Sequence, residues 1–487
     1  MAASAPRSFP PDFLFGAATA AFQIEGAAFE DGRTASIWDT FSRVPGAVIN
    51  GDNGDVACDH YHRYRDDVAL MKRLGLQTYR FSTSWSRVRP DGGPVNQRGL
   101  DFYRRLVDEL TDAGIQPWLT LYHWDMPQAL EDRGGWTARD TAEAFTEYAM
   151  SVHDALGDRV QVWTTLNEPW CSSFLSYTAG LHAPGRYSVT DGLLAAHHLL
   201  LAHGQVVREL RARDAGLELG ITLNLTVADA VDPSEARDVD AARRVDGQFN
   251  RWFLDPVFRG AYPDDIVDDI RAIDASAVAA LEAAIEPGDL DVIAAPIDSL
   301  GVNYYHGEYV GGSAPAHPPQ PGDAPTDRPG RSPFPSHEGI FWHERGLART
   351  VMNWEVQPTG LTRLLERVWR EYAGPAGTTL YVTENGAAYD DVVTGVGAQA
   401  RVHDDERREF VRAHLAAVLD AIEAGVDVRG YFYWSLMDNF EWAWGYAKRF
   451  GIVRVDYETQ QRIVKDSGLE YGRIIAARAI DVPAASR

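Results

Sequence analysis

A helix-period apolar pattern followed directly by a short β-rich run recurs along this chain, and few architectures accommodate that alternation. Leu100, Tyr103, Val107 and Leu110 fall at helical spacing before Gly114, and "IQPWLTLYHW" follows at 115–124. Phe145, Tyr148, Val152 and Leu156 repeat the pattern before Gly157, with "VQVWTTLNEP" next at 160–169. Val411, Leu415, Val418 and Ile422 do so again, ahead of Gly425 and "VRGYFYWSL" at 428–436. Apolar residues three and four apart line one face of a helix, whereas short β-branched and aromatic runs bounded by glycine read as strands. Strict alternation predicts a parallel sheet covered by helices, since parallel neighbours require a crossover. Candidate strands fall at 13–18, 78–82, 117–121, 160–166, 219–223, 299–303, 380–383 and 430–434. Eight is the number that closes an α/β barrel. The rival is an open, doubly wound sheet, whose dinucleotide loop turns a buried strand into a helix. "GVGAQA" at 395–400 instead sits in a polar loop after Asp390 and Asp391, and reads as an ordinary loop.

A chain of 487 residues could hold three average domains, but α/β barrels run long as one, and 1–487 is read as a single barrel domain with insertions. Residues 311–339 are rich in Pro and Gly and lack periodicity, which predicts a long loop after the sixth strand. With 45% hydrophobic and 24% charged residues, and no apolar run long enough to span a bilayer, the chain reads as soluble. The start "MAASAPRSFPPDFLFG" carries no secretory pattern, and Cys58 and Cys171 are too few for a disulfide framework, so a cytoplasmic location is expected. A formal charge of −24 disfavours nucleic acid and anionic membranes as partners, and leaves a homo-oligomer open.

The strand ends carry residues unusual for a packed core: Arg80, His123, Trp124, Asn167, Glu168, Asn303, Tyr305 and Glu384. An isolated Glu after a strand is ordinarily a surface residue, but in a barrel these ends converge on the one face where barrel active sites lie. Two carboxyl groups across a pocket can divide the work of glycosidic cleavage: a protonated one gives its proton to the leaving oxygen and an ionised one attacks the anomeric carbon. Arg80 would hold one ionised, and that charge would raise the pKa of the other. The segment "YWSLMDNFEWAWGY" at 433–446 adds Trp434, Glu441, Trp442 and Trp444, with tryptophan faces suited to pyranose C–H faces. For Trp444 a core or interface position is the simpler expectation.

The ordered set "FLFGAATAAFQIEGA", "YRFSTSWSR", "YHWDMPQAL", "TLNEPW", "GVNYY", "YVTENG" and "WSLMDNFEWAWGYAKRFGIVRVDY" closely resembles the family 1 glycoside hydrolases, bacterial β-glucosidases in particular, over nearly the whole chain. The resemblance implies a (β/α)8 TIM barrel with long βα loops, the 311–339 loop near the mouth of the active site, and neither cofactor nor metal. It implies Glu384 as nucleophile and Glu168 as acid/base, with Arg80 and Tyr305 holding the nucleophile. Gln23, His123, Asn167, Trp434, Glu441 and Trp442 would hold the non-reducing sugar, Asn167 through the 2-hydroxyl. Trp354 would be the platform for the leaving group, with Trp170, Cys171 and His182 nearby.

The expected reaction is retaining hydrolysis of terminal β-D-glucosyl residues from β-glucosides and cello-oligosaccharides. Glu441 disfavours 6-phosphorylated sugars, and Glu168 disfavours a thioglucosidase. A β-galactosidase or β-fucosidase of the same family is the near alternative. From another class, a non-catalytic sugar-binding relative would have no need of both Glu168 and Glu384, and an acidic scaffold would leave the convergent polar strand ends unexplained.

Overall fold

Each of the eight apolar runs forms a strand: β1 Leu14–Ala18, β2 Thr78–Ser82, β3 Gln116–Tyr122, β4 Val162–Asn167, β5 Glu218–Asn224, β6 Ser299–Asn303, β7 Thr379–Asn385 and β8 Val428–Trp434. The computed structural model describes residues 6–316 and 331–481, so residues 317–330 of the expected 311–339 loop lie outside the described residues. All eight strands pair in parallel with their sequence neighbours, and β8 returns to β1 in the register Gly430 to Leu14 through Trp434 to Ala18, closing the barrel.

Helices cover it: α1 His60–Leu74, α2 Gln97–Ala113, α3 Asp140–Leu156, α4 Val189–Arg213, α5 Ala236–Asp246, α6 Pro358–Val368, α7 Asp405–Glu423 and α8 Asp466–Ala477. The periodic residues face inward as expected; Leu100, Tyr103, Val107 and Leu110 of α2 are all buried. Gly114 ends α2 at φ 76°, its N–H reaching the carbonyls of Leu110 and Thr111, the left-handed cap that only glycine adopts freely. Gly157 differs, ending α3 at an ordinary φ of −62°. Its requirement is steric, since a Cβ there would lie 2.7 Å from His153 Nε2.

Within the barrel, Trp118 of β3 meets Tyr381 of β7 and Phe432 of β8 edge-to-face at 4.7 and 4.9 Å. The histidines of α4 serve packing: His197 bonds Tyr262 and Asp289, His198 the Trp136 carbonyl and His203 the Thr165 hydroxyl. "GVGAQA" is a short hairpin turn between Val393–Thr394 and Arg401–Val402. The long segment after β6 is more ordered at its start than its composition suggests. Glu308–Gly311 pairs with Phe341–Trp342 and with Ala228–Ala230 in a three-stranded sheet.

Candidate active site

β7 ends in the glycine turn of "YVTENG", and Gly386 is required there because a Cβ would lie 1.7 Å from the Trp434 carbonyl oxygen. That close pass lets the last turn of β7 direct Glu384 into the barrel mouth, where it is 3% exposed. Arg80 from the middle of β2 donates Nη1–H to Glu384 Oε1 at 2.7 Å, and the Tyr305 hydroxyl donates to Oε2 at 2.7 Å. Burial pushes the Glu384 carboxyl upward, opposed by the Arg80 charge and by the bonds from Arg80 and Tyr305. Arg80 thus favours the ionised form, as expected, but against a cost of burial that the sequence reading left out.

Glu168 follows β4 with a φ of 51°. Pro169 disfavours a helical conformation at the residue before it and then opens the turn that runs into the π-type segment Cys171–Thr178. The carboxyl has no ion-pair partner among the described residues. Asn303 Nδ2–H donates to Oε1 at 2.7 Å and the Cys171 thiol donates to Oε2 at 3.2 Å. Burial, reinforced by the Glu384 charge, pushes Glu168 up to about 8 against these bonds and the distant help of Arg80. Two buried carboxyl groups therefore face unlike surroundings, one clasped by a guanidinium and a phenol, the other by an amide and a thiol.

Asn167 and Asn303 connect the two. Asn167 Oδ1 accepts from Arg80 Nη2 at 2.6 Å and from Asn303 Nδ2 at 3.1 Å, while its Nδ2 meets His123 Nε2 at 3.2 Å. Asn303 is oriented in turn by the Thr383 hydroxyl, which donates to its Oδ1 at 2.8 Å. Because His123 Nε2 accepts, the ring proton lies on Nδ1; burial, and secondarily Arg80, keep this histidine neutral, well below its ordinary pKa.

His123 lies flat against Trp434 and Trp442, with ring centroids 5.6 and 5.9 Å away. Among the buried polar atoms around these rings that have no partner among the described residues are His123 Nδ1, Gln23 Oε1 and Glu441 Oε2. Gln23 is held by its other atom, Nε2–H donating to Asn439 Oδ1 and the Phe440 carbonyl at 3.0 and 2.8 Å. Burial, with the charges of Glu384 and Glu168 added, pushes Glu441 up to about 8. Buried polar atoms are seldom left unpaired, so this wall suits a ligand dense in hydroxyl groups.

The cavity, about 340 Å³, is lined by His123, Glu168, Tyr305, Glu384, Trp434, Glu441 and Trp442, with an aromatic region beside them. There Trp354 packs on Tyr305 and His306 at 5.3 and 5.0 Å, and Trp170 packs on Phe249 and Phe334 at 4.4 and 5.7 Å. His182 lines the same cavity, whereas Gln23, Arg80 and Asn167 act from behind its surface. Trp444 is half-buried, lines the cavity, and carries the Lys448 ammonium 4.6 Å above its ring.

Sequence reasoning flagged Asn303 as a polar strand end but missed its bond to Glu168, and it placed Cys171 only in the outer region. It missed altogether the buried ionic cluster beside the tryptophan loop. Lys465 Nζ lies 2.6 Å from Asp391 and 2.8 Å from Asp438, Arg407 joins Asp391 to Asp404, and Arg449 reaches Asp438 at 2.7 Å. Its only signal was the presence of charged residues amid apolar ones, which local periodicity does not interpret.

The family model for glycosyl hydrolase family 1 matches residues 5–480. The thermostable β-glucosidase B of Thermobispora bispora is 50% identical over 96% of this chain and 90% of its own length. A bifunctional β-D-glucosidase/β-D-fucosidase of Bifidobacterium breve is 48% identical over 96% of this chain and 98% of its own. The crystal structure of the psychrophilic β-glucosidase from Micrococcus antarcticus superposes with a TM-score of 0.93 at 55% identity, covering 97% of this chain and 98% of that one. With the barrel, the paired carboxyls and a match along nearly its full length, the chain belongs to glycosyl hydrolase family 1.

Proposed function

We propose that this protein is a retaining β-glucosidase, releasing terminal non-reducing β-D-glucosyl residues from β-glucosides and cello-oligosaccharides. The observation that carries the reading is the unlike surroundings of the two buried carboxyls. Glu168, raised to about 8, keeps its proton at neutral pH and gives it to the glycosidic oxygen. Glu384, bonded by Arg80 and Tyr305, attacks the anomeric carbon as the bond to the leaving group breaks, forming a covalent glycosyl-enzyme. Glu168, now ionised, takes a proton from water, whose oxygen attacks the same carbon and frees Glu384. Two inversions give net retention.

Gln23, His123, Asn167, Trp434, Glu441 and Trp442 hold the glucosyl ring, and Trp354 faces the leaving group. The buried partnerless atoms of Gln23, His123 and Glu441 support a glycone bound through several hydroxyls. A β-D-fucoside differs from a glucoside in lacking the 6-hydroxyl and in its axial 4-hydroxyl, and the double name of the Bifidobacterium breve relative supports activity on fucosides as a second specificity. The two unpaired, buried cysteines support a reducing, cytoplasmic setting, where the enzyme would complete the breakdown of cello-oligosaccharides. Residues 1–487 act as one catalytic domain.

Proton NMR of a nitrophenyl β-glucoside tests the reaction directly. β-Glucose is expected to accumulate first, and Glu384→Ala is expected to lower kcat by roughly 10⁴-fold or more. Initial release of α-glucose would rule out the two-step route.

A further inference from the structure

We propose that Cys171 is a positioning residue for the reaction: its thiol, as a weak hydrogen-bond donor to Glu168 Oε2, orients the acid/base carboxyl while leaving its proton available for transfer. The proposal rests on the assignment of Glu168 as acid/base. The geometry is specific. Cys171 sits one turn after Glu168, its N–H bonded to the Glu168 carbonyl at 2.9 Å, so backbone and side chain of the two residues are tied together. The thiol reaches Oε2 at 3.2 Å, and behind it Asn224 Nδ2 lies 3.7 Å from the sulfur, directing the S–H toward the carboxyl. Cys171 is buried and lines the cavity.

The chemistry of the donor matters because Glu168 must serve in both protonation states. Oε1 takes a full-strength amide bond from Asn303 at 2.7 Å. A second donor of that strength on Oε2 would stabilise the carboxylate, lower the pKa and leave less of the carboxyl protonated at neutral pH; no donor at all would leave the carboxyl free to rotate and make the later base harder to form. A thiol lies between these extremes, since S–H donates weakly. Burial and the adjacent carboxylates hold its own pKa well above the ordinary value, so it remains a donor throughout. The other groups acting on Glu168 come from separate elements and stay constant when Cys171 is changed: Glu384 from β7, Arg80 from β2, and, in the surrounding walls, Tyr305 after β6 and Glu441 after β8.

The test compares Cys171→Ser and Cys171→Ala through the alkaline limb of kcat/KM on a β-glucoside with a poor leaving group. A hydroxyl donates more strongly than a thiol and favours the carboxylate, so the Ser variant should shift the limb to lower pH. The Ala variant loses the donor, so its limb should shift to higher pH. Shifts of about half a unit to one unit each are expected for gain or loss of part of a charge-assisted bond. With a dinitrophenyl β-glucoside, whose departure needs no proton, the glycosylation rate should change by less than about 3-fold in both variants. A packing role alone would move both variants in the same direction, or alter KM without moving the limb, and either result overturns the proposal. Glu168→Ala separates the underlying assignment: if the limb survives in it, the acid/base reading falls and the proposal with it. If the limb is lost there but unmoved in both Cys171 variants, the proposal alone falls.

Discussion

Glu168 takes a backbone conformation that L-residues avoid, and it is not alone. Trp124 at φ 79° and Trp442 at φ 51° line the same cavity, and each such residue stores on the order of 1–3 kcal/mol of strain that the surrounding packing must hold. The carboxyl is strained electrostatically as well. Its folded pKa of about 8 lies above the ordinary value of 4.5, so its contribution to stability is complete below about pH 4.5 and is lost as pH rises toward 8. Glu168→Gln is therefore expected to raise Tm at pH 8 by a few degrees and to leave it unchanged at pH 4, while abolishing turnover of substrates with poor leaving groups. Thermal scans at the two pH values check this, and an equal gain at both would show that the charge is not the cause.

At the scale of elements, the decisive piece is the connection from β8 to α8, which starts after Trp434, carries Glu441 and Trp442 and has little regular structure of its own. Asp438 in its middle is fastened by Lys465 and Arg449, and the N–H of Gly451 donates to Asp438 Oδ1 at 3.0 Å. Lys465, at the start of α8, also meets Asp391 beyond β7, so the cavity-lining loop is pinned to the neighbouring β7–α7 connection by side chains with no solvent exposure. Removing one member of a buried ion cluster leaves its partners uncompensated, at a cost of about 3–5 kcal/mol. Lys465→Met should lower Tm by several degrees and raise KM for β-glucosides more than it lowers kcat, because the carboxyl pair is anchored separately by Arg80 and Asn303. A fall in kcat at constant KM would count against this division of labour.

For the whole molecule, barrel closure gathers residues from all parts of the chain onto one face: Gln23 follows β1, Arg80 comes from β2, and Glu441 follows β8. No helix among the described residues is long and apolar enough to cross a membrane. A ligand that binds only this assembled face must stabilise the entire fold, by about 2.7 kcal/mol at one hundred times its Kd. A glucose-configured inhibitor is expected to raise Tm accordingly, and Glu441→Ala to lose most of that shift. Retention of the full shift in the variant would remove Glu441 from the glycone site.

The sequence by itself determined the elements and the identity of the strand-end residues. Helix and strand have periods of 3.6 and 2, which are local properties, and the interior of β3 or the buried face of α2 can be read from a dozen residues each. The motifs around Glu168 and Glu384 pointed to the same cavity. The strand pairing of Glu308–Gly311 with Phe341–Trp342 was not legible, because it joins short segments with no pattern of their own. Only the tertiary structure decided what each carboxyl experiences. That Asn303 bridges Asn167 and Glu168, that Cys171 caps Oε2, that burial opposes Arg80 at Glu384, and that Lys465 lies between Asp391 and Asp438 all depend on how the closed barrel brings distant residues together. Hydrogen bonds and desolvation depend on distance and burial, and a one-dimensional pattern specifies neither until the barrel closes.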